Sequence, residues 1–259
     1  MIGSPDLPVV HGVVTGGDLA SLVVSADEVE AWPVGSHLWG HYAERTEQGE
    51  VLCRTENVSA CHEAFARLVD GVLRDVASSA EGGAVAAFKD KLNYKKPGGA
   101  GFGPHQDLLA YPELGRVVSV LVAIDECTTA SGCLWLAEGV DRLLPTDDRG
   151  VVRADVADSL PWAPVELAPG DAVVIDGLAP HSSEANRSRV SRRVLVASYA
   201  PLSEGYDRAR YYGLRTAAMV AGSERDGRAR ISTLADFEGT PVATHPTRHG
   251  EPAPDRCTH

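Results

Sequence analysis

Several features are missing from this sequence of 259 residues, and each absence narrows its class. It has no run of eighteen apolar residues, which argues against a membrane-spanning helix. Its first residues show no basic segment followed by an apolar core, so we expect no secretory signal and a cytoplasmic location. The five cysteines form no CxxC pair and are irregularly spaced, as is typical of free thiols in a reducing compartment. Basic residues are also few, since 24 Lys and Arg stand against 36 Asp and Glu, and the net charge of -12 argues against nucleic acid or anionic membranes as partners.

The apolar pattern predicts a mainly β protein with flanking helices. Short strand-like segments lie between turns rich in glycine and proline, an arrangement typical of a barrel or jelly roll. Helical spacing marks residues 58–79, with Asn57 or Ser59 as the candidate cap. We expect one domain over 1–259. It would have a jelly-roll core at about 84–201, a helical part at about 15–80, and a C-terminal helix and tail at about 203–259.

The segment GFGPHQD contains a candidate pair of metal ligands, His105 and Asp107. On an extended strand, two side chains two residues apart point the same way. His181 follows an apolar strand and a turn, which makes it the candidate third ligand. Two histidines and one carboxylate on one face are the set that holds Fe(II) in non-haem oxygenases. The HxD pattern alone is weak, and a turn histidine beside a capping aspartate is the alternative interpretation.

Two adjacent arginines, Arg192 and Arg193, begin an apolar strand eleven and twelve residues after His181. A dicarboxylate such as 2-oxoglutarate, bound to iron through its keto acid end, needs a cation for its far carboxylate, and arginine suits that geometry. Adjacent residues face opposite sides of a strand, so only one of the two arginines can point inward. A solvated strand end is the alternative.

The segments HQD, SGCLWLAEG and LAPGDAVVIDGLAPHSSEAN, with the RR that follows, resemble the phytanoyl-CoA dioxygenase family over about residues 50–220. The resemblance implies a double-stranded β-helix, that is, a cupin-like jelly roll. It also implies an oxygenase that uses Fe(II), 2-oxoglutarate and O2. His105, Asp107 and His181 would then bind the iron, and the spacing of the family's arginine selects Arg192.

The resemblance adds Ser183, two residues past the distal histidine, as an aid to the 2-oxoglutarate carboxylate. One departure is the loop after SGCLWLAEG, where Glu138 and Asp141 stand in place of a proline and a histidine that are frequent in the family. Related halogenases have a small residue in place of the carboxylate ligand, so Asp107 predicts hydroxylation of a C–H bond.

The strand FKDKLNYKK predicts the substrate pocket, because alternation puts four polar side chains on one face: Lys89, Lys91, Asn93 and Lys95. A solvated face is the alternative. The surrounding sequence looks most like the subgroup that includes 2-aminoethylphosphonate dioxygenase. By this resemblance we expect a small polar substrate that is aminophosphonate, phosphate-bearing or amino-acid-like. Lys91 and Tyr94 would contact it, Asn93 would bind 2-oxoglutarate, and Trp135 would either wall the pocket or fill core.

Two other functions fit the same residues. A zinc hydrolase could use the two histidines and the aspartate to activate water. A non-catalytic jelly-roll protein could keep the fold and bind a ligand without chemistry. In each case the expected partner is a small molecule, and the sequence does not predict the oligomeric state.

Overall fold

The protein forms two sheets in a computed structural model, which describes residues 8–33, 38–46, 49–213 and 230–231. With strands numbered along the chain, the larger sheet has the order β1 (Val9–Val10), β9 (Ala172–Asp176), β6 (Val118–Ala123), β11 (Arg192–Pro201), β4 (Val85–Lys95), β3 (Gly49–Glu56), β2 (Gly40–Thr46) and β12 (Arg230–Ile231). The smaller sheet has the order β5 (Phe102–His105), β10 (His181–Ser183), β7 (Leu134–Ala137) and β8 (Trp162–Val165). This arrangement confirms the predicted jelly roll.

Helices and turns flank the sheets. The helices are α1 (Gly16–Glu30), α2 (Glu63–Val69), α3 (Val72–Glu81) and α4 (Ala154–Ala157), and residues 208–213 are also helical. Two 3-10 turns lie at Asp107–Ala110 and Leu202–Glu204. None of the helices in the described ranges is both long and apolar enough to cross a membrane.

Two large clusters of core residues lie on opposite faces of the larger sheet. On the outer face, Leu92, Leu195 and Tyr199 pack in one cluster with residues of α1, α2 and α3. On the inner face, Val194 and residues of β6 and β9 pack against residues of the smaller sheet. Strand β6 is buried at all six positions, because it is covered from both sides. This burial on both faces explains why β6 is apolar at every position except Ser119.

The prediction of one continuous helix at about 58–79 is wrong, since the chain forms α2 and α3 there with a break between them. At Gly71 an added Cβ would lie 2.3 Å from a main-chain oxygen of α2, so this turn requires glycine. The cap of α2 is His62, whose ring accepts a hydrogen bond from the Ala64 N–H, and not Asn57 or Ser59.

The N-terminal part is less helical than predicted. It contains α1, α2 and α3, but β2 and β3 also lie there and extend the larger sheet beyond β4. The jelly-roll sheets therefore begin before residue 84. The predicted C-terminal helix starts with a 3-10 turn and Gly205, whose φ of 60° interrupts it, and continues at 208–213. The rest of that prediction lies outside the described residues.

Candidate active site

His105 and His181 are direct partners in the smaller sheet. His105 ends β5 and His181 begins β10, and the antiparallel register places the two residues opposite each other. Their ring centroids are 4.2 Å apart. Strand pairing therefore brings together two imidazoles that are far apart in the chain.

Asp107 joins the two histidines from a turn, whereas the sequence pattern predicts it on an extended strand with His105. It is the first residue of the 3-10 turn that follows β5. Its Oδ1 lies 3.8 Å from the Nε2 of His181, and one ligand atom from each of the three residues lies within 4.8 Å of the others. The three predicted ligands thus meet at one point, where a single ion could contact them all.

Both histidines are held in the orientation that metal binding needs. The Nδ1 of His105 donates to the Gly103 carbonyl at 2.9 Å, and the Nδ1 of His181 donates to the Ala179 carbonyl at 3.1 Å. A carbonyl only accepts, so each Nδ1 carries a proton, and in the neutral form of each ring the Nε2 lone pair is the one available to an ion. Burial, helped by the nearby His181, lowers the pKa of His105 to about 3, which keeps this ring neutral at physiological pH.

The carboxylate of Asp107 is fixed from behind by two serines. Its Oδ2 accepts a hydrogen bond from the Ser119 hydroxyl at 2.9 Å, and the Ser119 oxygen in turn lies 2.9 Å from the Ser198 oxygen. Burial alone would raise the pKa of Asp107, but His181 and Lys91 outweigh it and hold the pKa below its usual range. The carboxyl group of Asp107 is therefore ionised, and its Oδ1 is available to a metal.

Gln106, between the two ligands, has its side chain turned to the neighbouring loops. Its Nε2 donates to the carbonyls of Arg142 at 2.9 Å and Leu178 at 2.5 Å, and its Oε1 accepts from the Leu144 N–H at 2.7 Å. These bonds fix the loop after β7, where the sequence departs from the resembled family. They also fix the loop that leads into His181.

A cavity of about 290 Å³ opens beside the three ligands, inside the jelly roll. Its apolar wall includes Leu121, Ile175, Val194 and Val196. Six cationic residues line it: Arg54, Lys89, Lys91, Lys95, Arg149 and Arg192. Three acidic residues line it: Glu44, Asp107 and Asp148. The chain as a whole has an excess of acidic residues, whereas cationic residues outnumber acidic ones in the lining of this cavity.

The structure separates the two adjacent arginines. Arg192 is buried and lines the cavity, where its Nη2 donates to the Gly132 carbonyl at 2.5 Å. Its Nε is buried and has no hydrogen-bond partner among the described residues. Arg193 faces the other way and binds Asp125, with its Nε 2.8 Å from that carboxylate, and also contacts Asp27. Arg192 is the arginine that can meet a ligand.

The predicted inward face of β4 lines the cavity and is not a solvated face, because all four of its polar residues lie on the cavity wall. Asn93 has no side-chain hydrogen bond within the described part of the chain, which leaves its amide available to a ligand. The Nζ of Lys89 lies 3.7 Å from the Oε1 of Glu56, so this lysine forms an ion pair within the protein. Ser183 also lines the cavity, and its hydroxyl is 2.7 Å from the Nζ of Lys95.

Two of the predicted pocket residues are placed differently. Tyr94 belongs to the cavity wall, but its ring packs in the core beneath the helices, and its hydroxyl lies 3.2 Å from the Thr55 hydroxyl. Trp135 alternates on β7 with Leu134 and Leu136, which pack in the inner core, and it does not line the cavity that the described residues form. Trp135 thus lies outside the lining of this cavity, and the ring of Tyr94 packs in the outer core.

Sequence reasoning missed the supporting roles of Gln106, Ser119 and Ser198. It also missed that Lys95 lies beside Arg192. A signal existed for the serines, because each interrupts an otherwise apolar strand, VVSVLVA or VLVASYA. A buried hydroxyl in such a strand needs a partner, and this pair has one.

The fold and the site define a non-haem iron oxygenase. Two imidazoles and a carboxylate fit Fe(II) and would leave coordination positions open. The buried Arg192, with an unpartnered Nε, fits the far carboxylate of a dicarboxylate cosubstrate.

Comparison with known proteins agrees with this class. The model of the phytanoyl-CoA dioxygenase family matches residues 9–194. Methylphosphonate hydroxylase of Gimesia maris is 34% identical over 220 residues, which cover 83% of this chain and 85% of that protein. A 2-aminoethylphosphonate dioxygenase from an uncultured bacterium is 35% identical over 192 residues, with 71% and 73% covered. Among solved structures, EctD from S. alaskensis in its apoform has a TM-score of 0.65 and 22% identity, with 76% and 73% covered.

The chain belongs to the phytanoyl-CoA dioxygenase family. It is an Fe(II)- and 2-oxoglutarate-dependent oxygenase, and the comparisons support neither the zinc hydrolase nor the non-catalytic binding protein.

Proposed function

We propose that this enzyme hydroxylates a C–H bond of a small organophosphonate in the cytoplasm. One O2 and one 2-oxoglutarate are consumed, the substrate C–H becomes C–OH, and succinate and CO2 are released. The observation that carries the proposal is the cationic cavity inside an acidic chain. A phosphonate is a compact anion that needs such an environment when it leaves water. The two phosphonate-oxidising relatives support the same class by their names.

Each end of the cavity has its own role in this proposal. His105, Asp107 and His181 hold Fe(II), which when bound supplies the activation of O2. Arg192 and Ser183 bind the far carboxylate of 2-oxoglutarate, since both line the cavity and the Nε–H of Arg192 is available. The keto acid end of the cosubstrate then lies toward the metal.

Lys91 and Asn93 are the proposed contacts for the acidic group of the substrate. They lie two residues apart on the inward face of β4. The positive charge of Lys91 is one of the causes that lower the pKa of Asp107 and the pKa of His105, so the lysine acts on the metal ligands. A phosphonate bound there would hold its neighbouring carbon near the metal. The Asn93 amide can serve the substrate or the 2-oxoglutarate, as neither of its polar atoms is engaged within the described residues.

The size and lining of the cavity favour a small substrate over a fatty acyl-CoA. A cavity of about 290 Å³ has to hold both 2-oxoglutarate and the substrate, which favours a small substrate. The apolar wall of Leu121, Val194 and Val196 keeps water away from the reacting carbon.

The first test is an anaerobic titration of the protein with Fe(II) and then 2-oxoglutarate, followed by the visible charge-transfer band of the chelate. We expect a band in the wild type and its loss in Asp107→Ala. A folded protein that holds Fe(II) but shows no band and no binding of 2-oxoglutarate by calorimetry would refute the proposal.

The second test identifies the substrate by succinate formation and by 31P NMR of the products. Three compounds differ only in the acidic group, namely 2-aminoethylphosphonate, taurine and β-alanine, and methylphosphonate lacks the whole aminomethyl group. We expect turnover of a phosphonate and little of the sulfonate or carboxylate. Turnover of taurine or β-alanine alone would assign the enzyme to another class of small polar substrate.

The third test concerns the lysine and uses a matched control. Lys91→Met should raise the KM for the phosphonate roughly tenfold or more, since a charge-assisted hydrogen bond is lost. Lys96→Met removes a lysine whose ammonium contacts Glu30 outside the cavity, so its KM should match the wild type. Equal KM values for the two variants would remove Lys91 from the substrate site.

A further inference from the structure

Lys95 is a buried lysine beside the arginine end of the cavity. It ends β4 and is the direct cross-strand partner of Arg192 on β11. Its ammonium donates to the Ser183 hydroxyl at 2.7 Å, to the Glu184 carbonyl at 2.5 Å and to the Gly132 carbonyl at 3.3 Å. An ammonium has three N–H groups, so these three acceptors use all of them.

The chain makes room for this lysine with a glycine. Gly132 has a φ of +74°, and a Cβ there would lie 2.9 Å from the Lys95 Cδ and 2.4 Å from the Glu184 carbonyl oxygen. The same Gly132 carbonyl accepts hydrogen bonds from both Lys95 and Arg192. The glycine therefore joins the two cations, and a side chain at this position would force them apart.

Two buried cations stand side by side here without an acidic partner. None of the carboxylates in the described ranges forms an ion pair with Lys95 or Arg192. Burial and the charge of Arg192 lower the pKa of Lys95 well below its ordinary value, and only Glu44 opposes them among the carboxylates. Keeping two unpaired positive charges buried side by side costs free energy, and an anion bound between them would offset that cost.

The hydrogen bond to Ser183 gives this anion site its direction. The Ser183 oxygen accepts from the ammonium of Lys95, so the serine keeps its own hydrogen for another acceptor. The Nε–H of Arg192 is likewise without a partner among the described residues. A hydroxyl hydrogen and a guanidinium hydrogen thus remain for a carboxylate, while the ammonium is occupied.

We propose that Lys95 is a positioning residue for the far carboxylate of 2-oxoglutarate. It fixes the Ser183 oxygen so that the hydroxyl donates to the cosubstrate, it holds the Gly132 carbonyl that orients Arg192, and it adds a second positive charge to the subsite. This inference rests on the proposed role of Arg192 and Ser183.

The test compares two 2-oxo acids that share the chelating end and differ at the other. 2-Oxoglutarate has the far carboxylate, and 2-oxobutyrate lacks it. Anaerobic titrations of the Fe(II) protein give the Kd of each. In the wild type we expect 2-oxoglutarate to bind much more tightly. In Lys95→Met the ratio of the Kd for 2-oxobutyrate to the Kd for 2-oxoglutarate should fall at least tenfold, because only the binding of 2-oxoglutarate weakens.

Two further variants separate positioning from general damage to the fold. Lys96→Met, at the next residue but directed to Glu30, should keep the wild-type ratio. Ser183→Ala removes one hydroxyl with little risk to folding, and it should lower the ratio as well. If Lys95 acts through the serine, Lys95→Met should cost less in the Ser183→Ala background than in the wild type.

The outcomes are distinct. Failure of the wild type to bind 2-oxoglutarate would refute the proposed function itself. Normal binding by the wild type with an unchanged ratio in Lys95→Met, or with both 2-oxo acids weakened equally, would overturn the role of Lys95 alone. Should Lys95→Met not fold, a wild-type ratio in Ser183→Ala would overturn it too.

Discussion

Ser119 donates its hydroxyl hydrogen to Asp107 at 2.9 Å, from the inside of the larger sheet. Because that hydrogen is used, the nearby Ser198 must be the donor in the second contact of 2.9 Å. The two serines are cross-strand partners on β6 and β11. The carboxylate ligand is therefore oriented by a chain of hydrogen bonds that begins in the β-sheet.

We predict that Ser119→Ala lowers the affinity for Fe(II) by roughly 10- to 100-fold, as is usual when a partner of a metal ligand is removed. Ser198→Ala should have a smaller effect, because it leaves the bond between Ser119 and Asp107 intact. Anaerobic competition with a chelator of known affinity measures both. Wild-type affinity in Ser119→Ala would show that the serine does not orient the ligand.

Gln106 should be important for stability and for the loop after β7. Gln106→Leu leaves the Leu144 N–H and two carbonyls without their partner, and we expect a loss of about 2–4 kcal/mol in the free energy of unfolding. Urea unfolding measures this change. Trypsin should also cleave after Arg142 faster in the folded variant than in the wild type, and equal cleavage would mean that Gln106 does not hold this loop.

Arg192 and Arg193 should give opposite results when each is replaced by alanine. Arg192→Ala should raise the Kd of 2-oxoglutarate roughly 30-fold or more, the usual scale for a buried charge-assisted contact. Arg193→Ala should leave that Kd unchanged and lower the free energy of unfolding by about 1–3 kcal/mol, because it loses the pair with Asp125. The same two measurements on both variants check this. Loss of 2-oxoglutarate binding in Arg193→Ala alone would reverse the assignment.

The buried thiols of Cys127 and Cys133 should be unreactive in the native protein. Burial raises the pKa of Cys127 to about 11 and of Cys133 to about 12. A raised pKa means less thiolate, and thiolate is the reactive form. Iodoacetamide at pH 8 should therefore spare both, and the rate should rise about tenfold per pH unit up to pH 11 as long as the fold persists. Site-resolved mass spectrometry tests this, and rapid labelling of either thiol at pH 8 would contradict it.

Local pattern was enough to predict much of the fold. The segment FKDKLNYKK alternates, and alternation fixes which side chains share a face, so the inward set on β4 was predictable. The same rule puts Tyr94 on the opposite face from Asn93, which is why its ring packs in the core. The hairpin of β2 and β3 escaped prediction because it is rich in charged residues and joins the sheet through tertiary pairing.

The predicted ligands His105, Asp107 and His181 meet in the structure because their spacing reflects adjacent strand ends. What supports them was harder to predict. The neighbours of Lys95 come from three separate segments of the chain, and nothing local to the lysine indicates them. A break at one glycine, as at Gly71, likewise depends on a main-chain contact that a helical spacing pattern does not show.

The pairing of His105 with His181 makes the metal centre sensitive to how the smaller sheet assembles. If β10 slipped by one residue against β5, one imidazole would turn to the opposite face and the ligand set would be broken. An ion that binds only the correct register favours it by mass action, by about 2.7 kcal/mol at a free concentration one hundred times its Kd. Bound iron would thus stabilise the pairing of β5 with β10, and its removal would lower the stability of the smaller sheet, which positions the metal ligands.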